Sequence, residues 1–225
     1  MLFDSVVILD GARTAIGSFG GSLAGLAPHE MGSITAREAI RRAGIEAEAI
    51  DHSVYGHIIT TAPQDAYLAR HIAMDAGVPD GAAAFNVNRL CGSGVQALFS
   101  AAQQIALGDS HFALAGGAES MSRGAYLLPP QARNGLRMGH AEVTDLTLGI
   151  LSDPFGSGHM GVTAENIASR FGLSREEADQ FALESHHKAA RAIAEGRFDG
   201  QIVPVTVRQG ARNTASSATS MSAMA

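Results

Sequence analysis

The single cysteine of this 225-residue chain, Cys91, is the side chain best suited to nucleophilic chemistry. It lies in the segment Asn86-Val87-Asn88-Arg89-Leu90-Cys91-Gly92-Ser93-Gly94, directly before a predicted helix. The amino-terminal end of a helix is its positive end, which favours the thiolate form of cysteine. The sequence therefore predicts a sulfur nucleophile. The alternative is that Cys91 is a small buried side chain with no chemical role.

The helix predicted after Cys91 carries no charged side chain. Between residues 91 and 107 there is no Asp, Glu, Lys, Arg or His, and apolar side chains occur around most of the circumference. Such a helix is expected to be buried on all sides. Gly92 and Gly94 weaken the start of the helix. They also let another group approach the backbone closely, which favours the nucleophile interpretation.

Short β-branched and apolar runs alternate with longer helical patterns along the chain. This alternation predicts an α/β fold with a mostly parallel sheet. It also puts Cys91 at a strand-to-helix junction, where ligands bind in open α/β sheets. Strands are predicted at residues 6–9, 54–59, 83–87, 112–115 and 202–207, and helices at 30–43, 66–76, 91–107, 163–171 and 174–195.

Local signals mark where several of these helices begin and end. Gly44 and Gly108 directly follow apolar periodic segments and are expected to end them. The segment Ser174-Arg175-Glu176-Glu177 is a capping box, which predicts a helix start at that point.

Composition divides the chain into three parts. Residues 1–120 form the predicted α/β core. Residues 121–207 form a loop region, of which residues 121–160 are rich in Gly, Pro, Arg and Met without a clear period, as is typical of functional loops. Residues 208–225 contain no acidic or aromatic residue and are predicted to be disordered. The abrupt change near residue 208 suggests the hypothesis of a tail translated in a shifted frame.

Charge and composition narrow the classes of function. The net charge is −6, with acidic and basic residues mixed, so no basic surface for nucleic acid is expected. One cysteine cannot build an internal disulfide framework, which fits a reducing compartment. No apolar run approaches the length of a membrane span, and no signal peptide is evident at the first residues. We therefore expect a cytoplasmic protein that does not bind membranes.

Four segments resemble the motifs of thiolases, the acyl-CoA C-acyltransferases, and they occur in the family's order. The resemblance extends over residues 5 to about 207 and is strongest to bacterial acetyl-CoA acetyltransferases and β-ketothiolases. The segments are residues 11–17 (GARTAIG), 88–94 (NRLCGSG), 116–122 (GGAESMS) and 159–166 (HMGVTAEN).

The resemblance implies a fold, a reaction and a set of site residues. The fold would be the thiolase N-terminal α/β layer, with a mostly parallel sheet and a helical and irregular loop region. Cys91 would be acylated by a CoA thioester, and a second acyl-CoA would then attack the acyl group to give a β-ketoacyl-CoA, or the reverse thiolysis would occur. Leu90, His159 and Met160 would bind the substrate. No metal or other cofactor is implied beyond CoA thioesters as substrates, and a homo-oligomer is expected.

Three family motifs are not found in these 225 residues. They are the Gly-His-Pro motif with the activating histidine, the second cysteine and the Asn-Glu-Ala-Phe motif. The sequence thus resembles a truncated thiolase, and we expect little or no acylation by this chain alone. In thiolases the nucleophile helix lies between two sheets, so a single half is expected to aggregate or to need a partner.

Several alternatives follow from this partial resemblance. The chain could be a non-catalytic half that binds CoA or a partner, or a pseudogene-like product. Related condensing enzymes such as ketoacyl synthases are a second enzyme class, although the segment around His159 favours a thiolase. His159 itself could cap a loop rather than line a pocket.

Overall fold

The computed structural model describes residues 6–209 and 212–216, and for residues 208–209 and 212–216 it describes the backbone alone. The chain forms two compact units. The first comprises residues 1–123 together with residues 201–225, and the second comprises residues 124–200.

A three-stranded parallel sheet forms the centre of the first unit. The strands are β1 (His52–Gly56), β2 (Ala83–Val87) and β3 (Ala113–Gly117), in the order β2-β1-β3. Gly56 is in register with both Val87 and Gly117, so the carboxyl ends of all three strands lie at one edge of the sheet. The predicted parallel sheet of an α/β fold is confirmed.

Helices pack on both faces of this sheet. Helix α1 (Pro28–Ala43) precedes β1, α2 (Leu68–Asp75) connects β1 to β2, and α3 (Ser93–Leu107) connects β2 to β3. Successive side chains of a strand point to opposite faces. Tyr55 accordingly packs in a cluster with residues of α1 and α2, whereas Val54 packs against Ala97 and Ala101 of α3.

The predicted helix ends agree with the structure. Gly44 and Gly108 adopt the left-handed conformation at the ends of α1 and α3, with φ of 66° and 83°. Glycine is the residue that tolerates this conformation without a steric penalty. Strand β1, in contrast, ends at Gly56 instead of residue 59, because the amides of Ile58 and Ile59 donate to the Glu119 carboxylate and not to a neighbouring strand.

Two sequence predictions for the first unit are wrong. Residues 6–9 do not form a strand, and Ile8 is 80% exposed. No strand among the described residues pairs with this segment, so its backbone has no ladder to join. Among the described residues, the sheet covers one face of helix α3, and Phe99 on its other side is 58% exposed.

The end of the described chain also differs from the prediction. Strand β8 (Val205–Gln209) pairs antiparallel with β9 (Arg212–Ser216), although residues 208–225 were predicted to be disordered. Backbone hydrogen bonds in a strand pair do not require apolar side chains, so composition alone did not reveal this pairing. Residues 210–211 and 217–225 lie outside the described residues.

The second unit combines short strand pairs with two longer helices. Strands β4 (Tyr126–Leu127) and β5 (Thr144–Asp145) pair antiparallel, as do β6 (Ser152–Asp153) and β7 (Gly158–His159). The helices are α4 (Leu146–Ile150), α5 (Met160–Phe171) and α6 (Arg175–Ala194).

The predicted start of the last helix is confirmed. The Ser174 side chain accepts a hydrogen bond from the Glu177 amide, and the Glu177 carboxylate accepts one from the Ser174 amide. This reciprocal arrangement satisfies two amides that a helix start would otherwise leave without partners. Across the described ranges, each helix is too short or too polar to span a lipid bilayer.

Candidate functional site

Cys91 lies at the carboxyl edge of the parallel sheet, in the loop between β2 and α3. Its side chain is exposed and not in a disulfide. Gly92 directly precedes the first helical residue, Ser93, so the thiol lies at the positive end of α3. This agrees with the strand-to-helix position that the sequence predicted for Cys91.

The loop that presents Cys91 contains a backbone conformation that is rare for its residue type. Leu90 has φ of +48°, the one positive φ that a non-glycine residue adopts in the described part of the chain. The left-handed region costs a branched L-residue about 1–2 kcal/mol. The side chain of Leu90 is 57% exposed, next to the thiol.

Ser93 holds this conformation in place. Its buried hydroxyl donates to the Leu90 carbonyl at 2.6 Å and accepts from the Arg89 amide at 2.8 Å. The Ser93 amide also donates to the Leu90 carbonyl, and the Asn88 side chain accepts from the Leu90 amide. Sequence reasoning did not single out Ser93, although the preference of serine for helix starts is the signal that could have done so.

Glycines in the neighbouring strands let α3 begin very close to the sheet. A Cβ atom on Gly56 would lie 2.8 Å from the carbonyl carbon and from the Cβ of Ser93. A Cβ on Gly117 would lie 3.8 Å from the Cα of Gly94. The position of the Cys91 loop is therefore set by direct backbone packing of the first turn of α3 on the end of β1.

Charged side chains lie in the segments that follow β1 and β3 at the same edge. The Glu119 carboxylate accepts from the amides of Ile58 and Ile59. His57 is buried, with its Nδ1 atom 3.2 Å from Glu119 Oε1 and its Nε2 atom 3.6 Å from Asp65 Oδ2. Sequence reasoning did not identify this group, because the three residues are brought together by sheet packing alone.

The interactions around His57 shift the pKa values of His57 and Asp65. Burial lowers the pKa of His57, but the hydrogen bonds to Glu119 and Ala118 and the nearby carboxylates raise it more, so the net pKa is raised. Burial raises the pKa of Asp65, but hydrogen bonds from Thr61 and Ala62 and the charge of His57 lower it more, so the net pKa is lowered. Both shifts favour the charged forms.

The other two predicted site residues, His159 and Met160, lie in the second unit. The Nδ1 atom of His159 accepts a hydrogen bond from the Gly161 amide at 3.0 Å, so His159 is the N-cap of α5. His159 therefore caps a helix instead of the loop that its alternative interpretation suggests, and its place in a substrate pocket stays a prediction. Met160 is the first residue of α5 and is 44% exposed.

The four predicted residues form two adjacent pairs. Leu90 and Cys91 lie together in the first unit, and His159 and Met160 lie together in the second. Their assignment to one substrate site stays a prediction. Within the described ranges, no cluster of three or more His, Cys, Asp or Glu side chains could hold a metal ion.

Comparisons with known proteins relate the chain to one family. The model of the thiolase N-terminal domain matches residues 6–223. The β-ketothiolase BktB of Cupriavidus necator is 54% identical over 200 residues, which are 89% of this chain and 50% of that protein. The acetyl-CoA acetyltransferase of Pseudomonas aeruginosa is 45% identical over 205 residues, which are 91% of this chain and 52% of that protein.

A solved structure has the same fold. The crystal structure of the Bacillus anthracis acetyl-CoA acetyltransferase matches with a TM-score of 0.88 and 41% identity, over 93% of this chain and 52% of that one. The chain thus spans about half the length of the curated relatives it matches. The predicted resemblance, including the thiolase-like α/β fold, is confirmed: this chain belongs to the thiolase family.

Proposed function

We propose that this chain supplies the nucleophile for acyl transfer between CoA thioesters, with Cys91 as the acylated residue. The observation that carries the proposal is the exposed Cys91 thiol at the carboxyl edge of the sheet, in a loop that Ser93 fixes. The names of the matched relatives, acetyl-CoA acetyltransferase and β-ketothiolase, support the same chemistry.

The proposed reaction has two half-reactions. The Cys91 thiolate attacks the thioester carbonyl of an acyl-CoA, a carbon–sulfur bond forms, and CoA leaves as a thiolate that takes up a proton. A second acyl-CoA that has lost its α proton then attacks the acyl group on Cys91. The new carbon–carbon bond gives a β-ketoacyl-CoA and returns the Cys91 thiolate. The reverse direction is thiolysis.

The loop can stabilise the charge that develops in both steps. The carbonyl oxygen becomes an oxyanion, and amides at the start of a helix are suitable donors for such an anion. We propose the Cys91 amide as one of these donors. Leu90, His159 and Met160 are proposed to contact the CoA and acyl groups. The scheme needs no metal or other cofactor, because the CoA thioesters bring the leaving group.

The chain alone is expected to acylate slowly. The Gly-His-Pro motif with the activating histidine, the family's second cysteine and the Asn-Glu-Ala-Phe motif do not occur in these 225 residues. Without a base, the thiol must ionise unaided before it attacks. We therefore propose that efficient turnover depends on residues from the half of the relatives that this chain does not match.

A fusion protein tests this proposal. It would continue this chain after Val207 with the part of the Cupriavidus necator β-ketothiolase that the chain does not match. Thiolysis of acetoacetyl-CoA by the fusion is the readout, and Cys91→Ser is expected to lower kcat by at least about 10³-fold, as expected for loss of a nucleophile. A Cys91→Ser fusion with unchanged kcat would contradict the proposal.

The alternative function is a non-catalytic half that binds CoA or a partner. The exposed apolar outer face of α3, with Val95 and Phe99, is the observation that favours it. Saturable CoA binding by the chain without turnover in the fusion would support this alternative. For both functions we propose that the chain forms a homo-oligomer, because of the family resemblance. We also propose that it is located in the cytoplasm, where a lone free thiol stays reduced.

A further inference from the structure

The buried His57, which acyl transfer by Cys91 does not use, lies between two carboxylates at the carboxyl edge of the sheet. We refer to His57, Asp65 and Glu119 as the His57 cluster. The side chain of His57 is 5% exposed, and that of Asp65 is 1% exposed. Asp65 belongs to the short helical segment Pro63–Tyr67, and Glu119 follows β3. The cluster therefore joins segments that are far apart in the sequence.

Both ring nitrogens of His57 face hydrogen-bond acceptors. Nδ1 is 2.9 Å from the Ala118 carbonyl oxygen and 3.2 Å from Glu119 Oε1. Nε2 makes no hydrogen bond in the described structure, and Asp65 Oδ2 lies 3.6 Å from it. A neutral imidazole has one N–H and one lone pair. With Nδ1 donating to Ala118, a neutral ring would direct the Nε2 lone pair at a carboxylate, whereas the imidazolium presents an N–H on both sides.

Both carboxylates accept hydrogen bonds from the surrounding backbone. Asp65 Oδ2 accepts from the amides of Thr61 and Ala62 and from the Thr61 hydroxyl. Glu119 accepts from the amides that follow His57 in the chain. The three hydrogen bonds that Asp65 accepts favour its ionised form, in agreement with its lowered pKa. Asp65 and Glu119 are the charged groups that interact electrostatically with His57.

The backbone of His57 connects the cluster to the loop of Cys91. The His57 amide donates to the carbonyl of Val87, the last residue of β2, and Cys91 follows four residues later. The Ala118 amide donates to the carbonyl of Gly56, and Gly56 is the residue against which the first turn of α3 packs. The ends of β1, β2 and β3 are thus linked through residues next to the His57 ring.

We propose that His57 is an imidazolium in the folded chain and that its ion pairs with Asp65 and Glu119 hold together the three strand ends beside the Cys91 loop, in a pH-dependent way. This goes beyond acyl transfer and does not depend on it. The net raised pKa of His57, in spite of burial, agrees with the geometry. A raised folded pKa means that the stabilisation is complete below the ordinary histidine pKa of about 6.5 and is lost as the pH rises through the folded value.

Nuclear magnetic resonance of the full chain with ¹⁵N-labelled histidine tests the protonation state. His57→Gln assigns the ring signals, and we expect both ring nitrogens of His57 to be protonated at pH 6.5, with a titration midpoint above that of an unfolded histidine. The matched control is His111→Gln, because His111 also lies beside a carboxylate, Asp51, but is exposed. A His57 midpoint at or below about 6.5 would overturn the proposal.

Hydrogen exchange of the Ile58 and Ile59 amides tests the effect on the strand ends. Protection factors correct for the pH dependence of intrinsic amide exchange. In the wild-type chain we expect the protection factors of these two amides to fall about tenfold as the pH rises above the titration midpoint of His57, which is the effect of losing one charged hydrogen bond. His57→Gln should show low protection at every pH, and His111→Gln should behave like the wild type. Protection that does not change with pH in the wild type would refute the proposal, and so would an equal change in His57→Gln. If His57→Gln does not fold, the wild-type titration and exchange decide the question.

Discussion

Replacing Gly56 by alanine should push the first turn of α3 away from β1. The added Cβ would lie 2.8 Å from two atoms of Ser93 and 3.0 Å from the Gly94 nitrogen. Carbon atoms in favourable contact are about 3.5–4.0 Å apart, so one element has to move by roughly 1 Å. The contacted atoms belong to the backbone or to a Cβ, so no flexible side chain can swing aside to make room.

The expected cost follows from the packing and from the hydrogen bonds of Ser93. Overpacking a close contact typically costs about 1–3 kcal/mol. Moving Ser93 also weakens its hydrogen bonds to Arg89 and Leu90, each worth about 1 kcal/mol. The lower entropy of alanine in the unfolded chain offsets about 0.4–1 kcal/mol of this. We expect a net loss of about 2 kcal/mol in the free energy of unfolding.

Urea unfolding followed by far-ultraviolet circular dichroism measures this loss. With a slope of about 2 kcal/mol/M, a loss of about 2 kcal/mol lowers the urea midpoint by about 1 M. Gly94→Ala is the matched control, because its Cβ would meet no atom within 4 Å. In a helix this change should be neutral or stabilise by up to about 1 kcal/mol. Equal midpoints for Gly56→Ala and Gly94→Ala would refute the packing argument.

Three further predictions concern the core, a helix start and substrate binding. Leu68→Ala should lower the free energy of unfolding by about 2–5 kcal/mol, because Leu68 is fully buried, whereas Leu128→Ala, at an exposed leucine, should change it by less than about 0.5 kcal/mol in the same urea experiment. Ser174→Ala removes the capping hydrogen bond of α6 and should cost about 1 kcal/mol, seen as faster hydrogen exchange confined to the first turn of that helix; unchanged exchange there would contradict the capping role. Met160→Ala should weaken CoA binding by about tenfold in calorimetry, because it removes one apolar contact that CoA would bury, whereas Met138→Ala, at a fully exposed methionine, should leave the affinity unchanged. Equal CoA affinities of the two variants would argue against Met160 in the CoA site.

Local signals predicted the elements of this fold well. Gly44 and Gly108 end their helices because left-handed backbone is accessible to glycine, a property that does not depend on the rest of the chain. The capping box at Ser174 is equally local, since its two hydrogen bonds join residues three apart. The strand predicted at residues 83–87 has its predicted bounds in the structure.

Features that depend on distant partners could not be predicted in the same way. The apolar composition of α3 indicates burial on all sides, but the described part of the chain covers only the face toward Val54. Residues 6–9 have strand-like composition and no neighbouring strand among the described residues. A pattern along the sequence records which side chains favour burial, and it contains no information on whether a covering element is present.

In the candidate site, too, residues with local signals could be predicted and residues with distant partners could not. Cys91 could be identified from its neighbours in sequence, because the motif is contiguous and a helix start follows it. The ring of His57 lies beside Glu119 and the Ala118 carbonyl, although Ala118 is 61 positions away in the sequence, and the parallel register of β1 and β3 brings these residues together. The role of Ser93 in holding Leu90 at positive φ likewise becomes visible only with the loop geometry.

Mass spectrometry of the Cys91 peptide during turnover shows whether the acyl group is carried by this residue. The fusion protein is mixed with acetyl-CoA, quenched in acid and digested, and the peptide that contains Cys91 is analysed by mass spectrometry. We expect one acetyl group on this peptide, removable by neutral hydroxylamine as expected for a thioester, and none in Cys91→Ala. An unmodified Cys91 peptide in a fusion that turns over acetoacetyl-CoA, or equal acetylation of Cys91→Ala, would contradict it.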